Sequence, residues 1–285
     1  MSGGAGSLDP NVAPVPRTRR GRPRGTGILI AGLSTLVVVG VLGYLIVNSA
    51  GWPVLQSNFF DAATFFDTLP KIVKAFALNV QIFLVTEVMV LVFALVLAVM
   101  RSLPGPAFFP ARFFAIAYID VFRGLPSVMV VYLLALGIPA LQLPGVTDDV
   151  FFWGIVTLTL IWSAYVAEVY RSGIESVHAS QDAAARSLGL SRAQSLRYVV
   201  LPQAVRRVIP ALLNDFIGLQ KDSALVGFLG PIEAFKRAQI ETDATFSFTP
   251  YIAAAVVFLA ITIPLTRYVD WLIARNRRQR MAGAT

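Results

Sequence analysis

The run Gln181-Asp-Ala-Ala-Ala-Arg-Ser-Leu-Gly189, continued by Leu190-Ser-Arg-Ala-Gln-Ser-Leu-Arg-Tyr-Val-Val-Leu-Pro202, carries its own start and stop signals. Gln181 to Leu188 is alanine-rich and favours a helix, and Gly189 is a natural helix stop. Ser191 with Gln194 three residues later makes a capping box that starts a second helix. Pro202 then breaks or redirects that helix. The expected structure is two short helices meeting at Gly189. Small alanines on one side and arginines on the other would suit a knob seated in a partner's groove. An ordinary connecting loop would satisfy the same spacing.

On both sides of this run the sequence turns apolar. Blocks near 27–48, 78–100, 115–140, 151–172, 205–230 and 250–272 are each long enough to cross a bilayer core, which takes about 20 helical residues. The fold class that follows is an all-α integral membrane protein with six predicted transmembrane helices. Composition agrees: 56% of the 285 residues are hydrophobic and only 14% are charged, against about 25% charged in soluble domains. With no cysteine, thiolate nucleophiles, cysteine metal sites and redox roles are excluded, and the single histidine leaves no histidine-based zinc site. No metal site is expected.

The net charge of +8 could signal nucleic-acid binding, so the placement of the basic residues decides. They sit at the ends of the apolar blocks. If Arg17, Arg19, Arg20, Arg22 and Arg24 are cytoplasmic, six crossings place loops 101–114 and 173–204 inside, with Arg101, Arg112, Arg186, Arg192, Arg197, Arg206 and Arg207. The run Arg275, Arg277, Arg278 and Arg280 falls inside as well, leaving Lys71, Lys74, Lys236 and Arg237 in the outer loops. That is the positive-inside pattern. Both termini are therefore expected in the cytoplasm, with no nucleic-acid partner. The first apolar block is longer than the roughly 7–15 apolar residues of a signal peptide, so an uncleaved anchor is expected. Pro210, Asn214, Asp215, Gln220, Lys221 and Asp222 interrupt the fifth block, and such residues face a bundle interior or a wet pathway rather than lipid. Pro126 and Pro264 are expected to kink their spans.

The loop resembles the EAA loop of ABC-importer permeases, whose pattern is Glu-Ala-Ala, three residues, Gly, nine residues, then Ile-x-Leu-Pro. Ala184, Ala185, Gly189, Leu201 and Pro202 match. Ala183 stands in the place of the Glu, with Asp182 one residue earlier, and Val199 replaces Ile. Tyr118-Ile-Asp-Val-Phe-Arg-Gly-Leu-Pro126 and Ala164-Tyr-Val-Ala-Glu-Val-Tyr-Arg-Ser-Gly-Ile174 are similar to elements of the polar amino-acid uptake subfamily (the histidine, glutamine and glutamate importers). Gln203-Ala-Val-Arg-Arg-Val-Ile-Pro-Ala and Leu219-Gln-Lys-Asp-Ser-Ala-Leu225 resemble its continuation, so four ordered elements cover about 75–270.

The resemblance implies a five-helix type I ABC-importer permease core plus one N-terminal helix. The organisation is then a disordered arginine-rich cytoplasmic tail over 1–25, an extra helix over 26–49 and an extracytoplasmic linker over 50–77. The permease domain over 78–272 follows, with its coupling loop at 173–204, and a basic tail over 273–285 ends the chain. Implied partners are ABC ATPase subunits, a second permease subunit (homo- or heterodimer), an extracytoplasmic solute-binding protein, an amino-acid substrate and membrane lipid. No Gly-x-x-x-x-Gly-Lys-Ser/Thr loop occurs in the chain, so the expectation is no enzyme activity and no cofactor in this chain, with ATP and Mg bound by the partner ATPase. The coupling set is Asp182, Ala184, Ala185, Arg186, Gly189, Leu201 and Pro202.

An amino acid carries both charges, so its site needs groups of both signs. Asp120, Arg123, Glu168, Lys221 and Asp222 are the pathway candidates, with Arg171 beside them. Ion pairs that lock helices, or arginines snorkelling at an interface, would account for the same residues. Glutamate or glutamine is the preferred substrate on resemblance. An ion-gradient-driven secondary transporter using Asp215 or Glu87 would leave the ordered loop motif unexplained. A membrane enzyme would call for a histidine-rich or paired-carboxylate centre.

Overall fold

The computed structural model describes residues 25–282, with side chains over 27–275. The tail predicted over 1–25 falls, but for Gly25, outside the described residues, as do the last three residues of the tail predicted over 273–285. Every regular element among the described residues is helical. In order these are α1 (Gly25–Val47), α2 (Trp52–Phe59), α3 (Ala62–Ser102), α4 (Phe109–Gly124), α5 (Ser127–Val131) and α6 (Gly137–Ala140). Then come α7 (Val150–Glu175), α8 (Ala179–Ser187), α9 (Arg192–Ser195), α10 (Leu201–Asp222), α11 (Ala234–Thr245) and α12 (Thr249–Ala282). The chain divides between Leu55 and Gln56 into two units. In the first, α1 is apolar on every face and carries no charged residue.

In the second unit, Asp61 caps α3 by accepting the Thr64 N–H at 2.9 Å. The helix then runs 41 residues without interruption, roughly 60 Å, about twice a bilayer core. The predicted linker over 50–77 is therefore helical: α2 and the first turns of α3 occupy it. Pro70 does not end α3. These turns pack Ile72 and Phe76 against Ala234 and Ala238 of α11 and Ala253 of α12, a small core at one end of the bundle.

Among the described residues, four helical stretches are long and apolar enough to cross a membrane: Gly27–Val47, part of Trp52–Ser102, Val150–Glu175 and Thr249–Arg275. The predicted third span is a broken one, Pro106–Gly124 and Ser127–Ala140 meeting at 111°. Leu125 is extended (φ −96°, ψ 143°), as steric clash with the ring of Pro126 demands. A π-helical turn at Tyr132–Leu136 joins α5 to α6. The predicted fifth span, 205–230, is α10 up to Asp222 and a 3-10 segment over Ser223–Leu229, and the polar residues along one face of α10 leave it less apolar than the four stretches above.

The main core joins α3, α4, α5, α7 and α10 through Ile82, Leu97, Ile119, Val131, Ile161 and Leu219, among others. In lipid such helices are held by close packing rather than by a hydrophobic drive. Gly218 of α10 shows this: a Cβ there would stand 2.2 Å from the Trp162 ring of α7. Towards the other end Gly173 of α7 meets Val208 of α10, so α7 and α10 are antiparallel.

Candidate functional site

The predicted two-helix knob is present. His178 caps α8, its ring Nδ1 accepting the Ser180 N–H at 3.3 Å. At the far end Gly189 has φ +87°, which only glycine adopts freely. It donates to Arg186 O at 3.0 Å, and Leu190 donates to Ala185 O at 3.3 Å, the paired bonds of a Schellman stop. The capping box is formed: Gln194 N–H donates to Ser191 Oγ at 3.3 Å and Ser191 N–H to Gln194 Oε1 at 2.9 Å.

Two features of the knob go beyond the sequence reading. Asp182 accepts a 2.6 Å hydrogen bond from buried Ser195, tying α8 to α9 across the turn. Leu188, beside the glycine, is 84% exposed, an apolar side chain held outward with nothing among the described residues to cover it. Ala184 and Arg186 are exposed and Ala185 is buried beneath them. Asp182, Arg186, Gly189 and Gln194 line a shallow groove of about 570 Å³. Pro202 does not break the second helix. A π-helical turn over Leu196–Val200 precedes it and the backbone stays right-handed into α10. Widening the turn accommodates the missing N–H and the ring at Pro202. Leu201 and Pro202 remain exposed.

The pathway candidates separate into groups. Glu168 accepts from Arg101 of α3 at 2.8 Å and from Arg171, which also binds Glu175. Its carboxylate is therefore engaged in locking α3 to α7 near the knob. Asp222 accepts from the Trp162 indole N–H at 3.2 Å, one turn beyond Gly218. Asp120 and Lys221 are exposed, and among the described residues neither forms an ion pair.

Arg123, in the last turn of α4, lies over the Tyr165 ring, 5.6 Å from its centroid. It stands in the last helical turn before the break at Pro126, where the helix dipole favours a cation. Asp215 of α10 lies within electrostatic reach of Arg123 and of Glu87 on α3. Edge-to-face contact between Phe83 and Phe216 at 4.4 Å fixes that approach of α3 and α10. Arg123 over the Tyr165 ring, Asp215 within reach of Arg123, and Glu87 within reach of Asp215 form a chain of groups from four helices beside the discontinuous span. Tyr165 was not among the pathway candidates, and Glu87 and Asp215 entered the sequence reading only as coupling carboxylates of the alternative transporter, Asp215 also as a polar residue of the fifth block. Their only sequence signal was polarity within an apolar block, with nothing local to say that they meet.

A helical membrane bundle with a broken span, a polar lining helix and a projecting two-helix knob defines a membrane permease subunit. The family described as "Binding-protein-dependent transport system inner membrane component" matches residues 107–278. The chain belongs to this family and is a multi-pass membrane protein. It is 35% identical over 185 residues to the "Probable glutamine ABC transporter permease protein GlnM" of Bacillus subtilis (strain 168), covering 65% of this chain and 83% of that one. The "Glutamate/aspartate import permease protein GltK" of Escherichia coli O157:H7 is 31% identical over 224 residues, 76% and 98% of the two chains. A solved structure, "Crystal structure of an amino acid ABC transporter with histidines", superposes with TM-score 0.69 at 29% identity, covering 75% of this chain and 98% of that one. A MetNI methionine ABC transporter shares the fold at TM-score 0.57 and 17% identity. The chain is accordingly a permease subunit of an ABC importer, with the all-α type I fold.

Proposed function

We propose that this chain forms half of the translocation pathway of an ATP-driven importer of polar amino acids, with glutamine or glutamate as substrate. A separate ATPase that docks on the knob binds ATP and Mg and hydrolyses the ATP, and this chain needs no cofactor of its own. A second permease copy or paralogue completes the pathway, and an extracytoplasmic binding protein delivers the solute. Both termini are cytoplasmic, so the knob faces the ATPase and α11 faces the binding protein. The observation that carries the reading is the knob itself: α8 and α9 are capped, stopped and cross-tied by Asp182 and Ser195, yet present Leu188 uncovered. Closure of the ATPase dimer would push on this rigid unit and rock the spans that continue from it.

For substrate contact, Arg123 offers the cation that a carboxylate requires, and Glu87 and Asp215 offer the charge that an ammonium requires. Broken helices lining a cavity are a recurrent place for such sites. Asp120, Lys221 and Asp222 extend the polar surface towards the same pathway, while Glu168 sets helix geometry. Arg123→Gln is expected to lower initial uptake of labelled glutamine or glutamate in proteoliposomes by about tenfold or more, since a hydrogen bond to a charged group is worth roughly 1.5–3 kcal/mol. Arg123→Lys retains charge but not the guanidinium that lies over the Tyr165 ring, so a partial loss is expected. Unchanged uptake in Arg123→Gln removes this residue from the pathway.

The reading as a whole is tested by mild-detergent purification of the tagged chain from its own membranes, followed by mass spectrometry. Recovery of an ATPase, lost when 181–202 is replaced, supports it. Recovery of the chain alone, with uptake surviving ATP depletion, overturns it in favour of an ion-gradient-driven transporter.

A further inference from the structure

At the end of the bundle that carries the knob, α7, α10 and α12 leave a pocket of about 480 Å³. Its wall is apolar, made by Val169, Val208, Ala211 and Ile273. Its mouth is basic, with Arg206 and Arg207 side by side and no carboxylate among the lining residues. Arg207 donates to the Ser176 carbonyl and, at 3.3 Å, lies against Ser176 Oγ. Arg206 is exposed and has no hydrogen bond or ion pair among the described residues. The nearby carboxylates Glu168 and Glu175 are already held by Arg171. Two guanidinium groups thus stand uncompensated over an apolar cleft.

That pairing selects an amphipathic anion. Guanidinium forks match phosphate oxygens in two-point geometry, and an apolar cleft opening beside them accepts a hydrocarbon chain. A small hydrophilic anion would use the mouth and leave the wall in water. In the orientation proposed above, the pocket sits in the headgroup layer of the cytoplasmic leaflet, where anionic lipids concentrate and where basic pockets between spans hold their headgroups. We propose that this pocket binds an anionic phospholipid, its phosphate on Arg206 and Arg207 and an acyl chain along Val208, Ala211 and Ile273. The site adjoins the hinge from which the knob hangs, because Ser176 precedes Val177, which packs with Val200 and Ala204 in a small core of its own. A bound headgroup would hold the Arg207 to Ser176 link in place and brace that hinge.

The proposal rests on the importer reading only for the leaflet. Its test is native mass spectrometry of the purified complex from nanodiscs of phosphatidylcholine with or without phosphatidylglycerol. Phosphatidylglycerol is expected to remain bound where phosphatidylcholine does not, and Arg206→Gln with Arg207→Gln is expected to weaken its retention about tenfold. Ala211→Trp, which fills the cleft and keeps both arginines, should do the same, while Arg267→Gln on α12, outside the pocket, should change nothing. Equal retention of both lipids overturns the proposal, as does equal loss in Arg267→Gln. Inorganic phosphate binding to the mouth as tightly as phosphatidylglycerol, with Ala211→Trp unaffected, makes it a plain anion site and overturns it too. Failure of the importer reading would appear separately, as a wild-type complex lacking an ATPase.

Discussion

Gly189→Asp is expected to leave the protein inserted and folded while reducing ATP-driven uptake by about a hundredfold or more. Two costs are involved and they are unequal. The backbone cost is small: a non-glycine residue in the left-handed region loses about 1–2 kcal/mol, Asp is among those that tolerate it best, and nothing lies within 4 Å of the Cβ that would be added. The docking cost is large, because the new carboxylate would be enclosed by the partner beside exposed Leu188, and an uncompensated buried charge costs about 3–5 kcal/mol. The order Gly189→Asn mild, Gly189→Ala intermediate, Gly189→Asp severe separates the two costs. Asn tolerates the backbone without charge, whereas Ala tests strain alone. The measurement is uptake together with ATPase recovery on the purified chain. Wild-type uptake in Gly189→Asp would remove the knob from coupling.

The knob could be read from sequence because its signals are local. Gly189, Ser191 and Gln194 act through backbone bonds within four residues, and those bonds form as the spacing requires. The four apolar spans were legible for the same reason, each declaring itself over a contiguous window. Residues 62–77 were not. Asp67, Pro70, Lys71 and Lys74 give the composition of a linker, yet Lys71 pairs with Asp67 on its own helix and with Glu241 of α11, so tertiary packing overrides the local pattern. Pro126 announced a kink, but the 111° turn and its placing of Arg123 over Tyr165 depend on how α4 packs against α7. The pairing of Arg101 with Glu168 crosses 67 residues, and the approach of Glu87 to Asp215 depends on α3 meeting α10. Single-chain patterns hold no record of either. The candidate site was thus legible as a set of residue types and illegible as a constellation.

Glu233→Ala should produce the largest loss of stability among single substitutions at the end opposite the knob. Glu233 is fully buried. Its carboxylate accepts from Asn79 Nδ2 at 2.9 Å, from Phe235 N–H at 2.8 Å and from Lys236 N–H at 2.7 Å, capping α11 and joining it to α3. Asn79 in turn accepts the Ala234 N–H at 3.0 Å and lies 3.2 Å from Ser223 Oγ, at the start of the 3-10 segment that follows α10. Removing the carboxylate strands three donors, each worth about 1–3 kcal/mol when buried. The first turn of α11 can fray towards water and recover part of that, so about 3–5 kcal/mol is expected. Asn79→Ala removes three links of the same network but leaves the Glu233 carboxylate its two backbone donors, so it should cost less. The double variant should fall short of the sum, because each substitution already breaks the bond they share. Apparent melting temperatures in detergent would check this, and strict additivity would mean that the two residues do not act as one network. In the proposed orientation this network holds the polar end of α10 to the surface offered to the binding protein. Glu233→Ala should therefore weaken the response of ATPase activity to loaded binding protein at temperatures where the protein is still folded, leaving ATPase recovery through the knob intact.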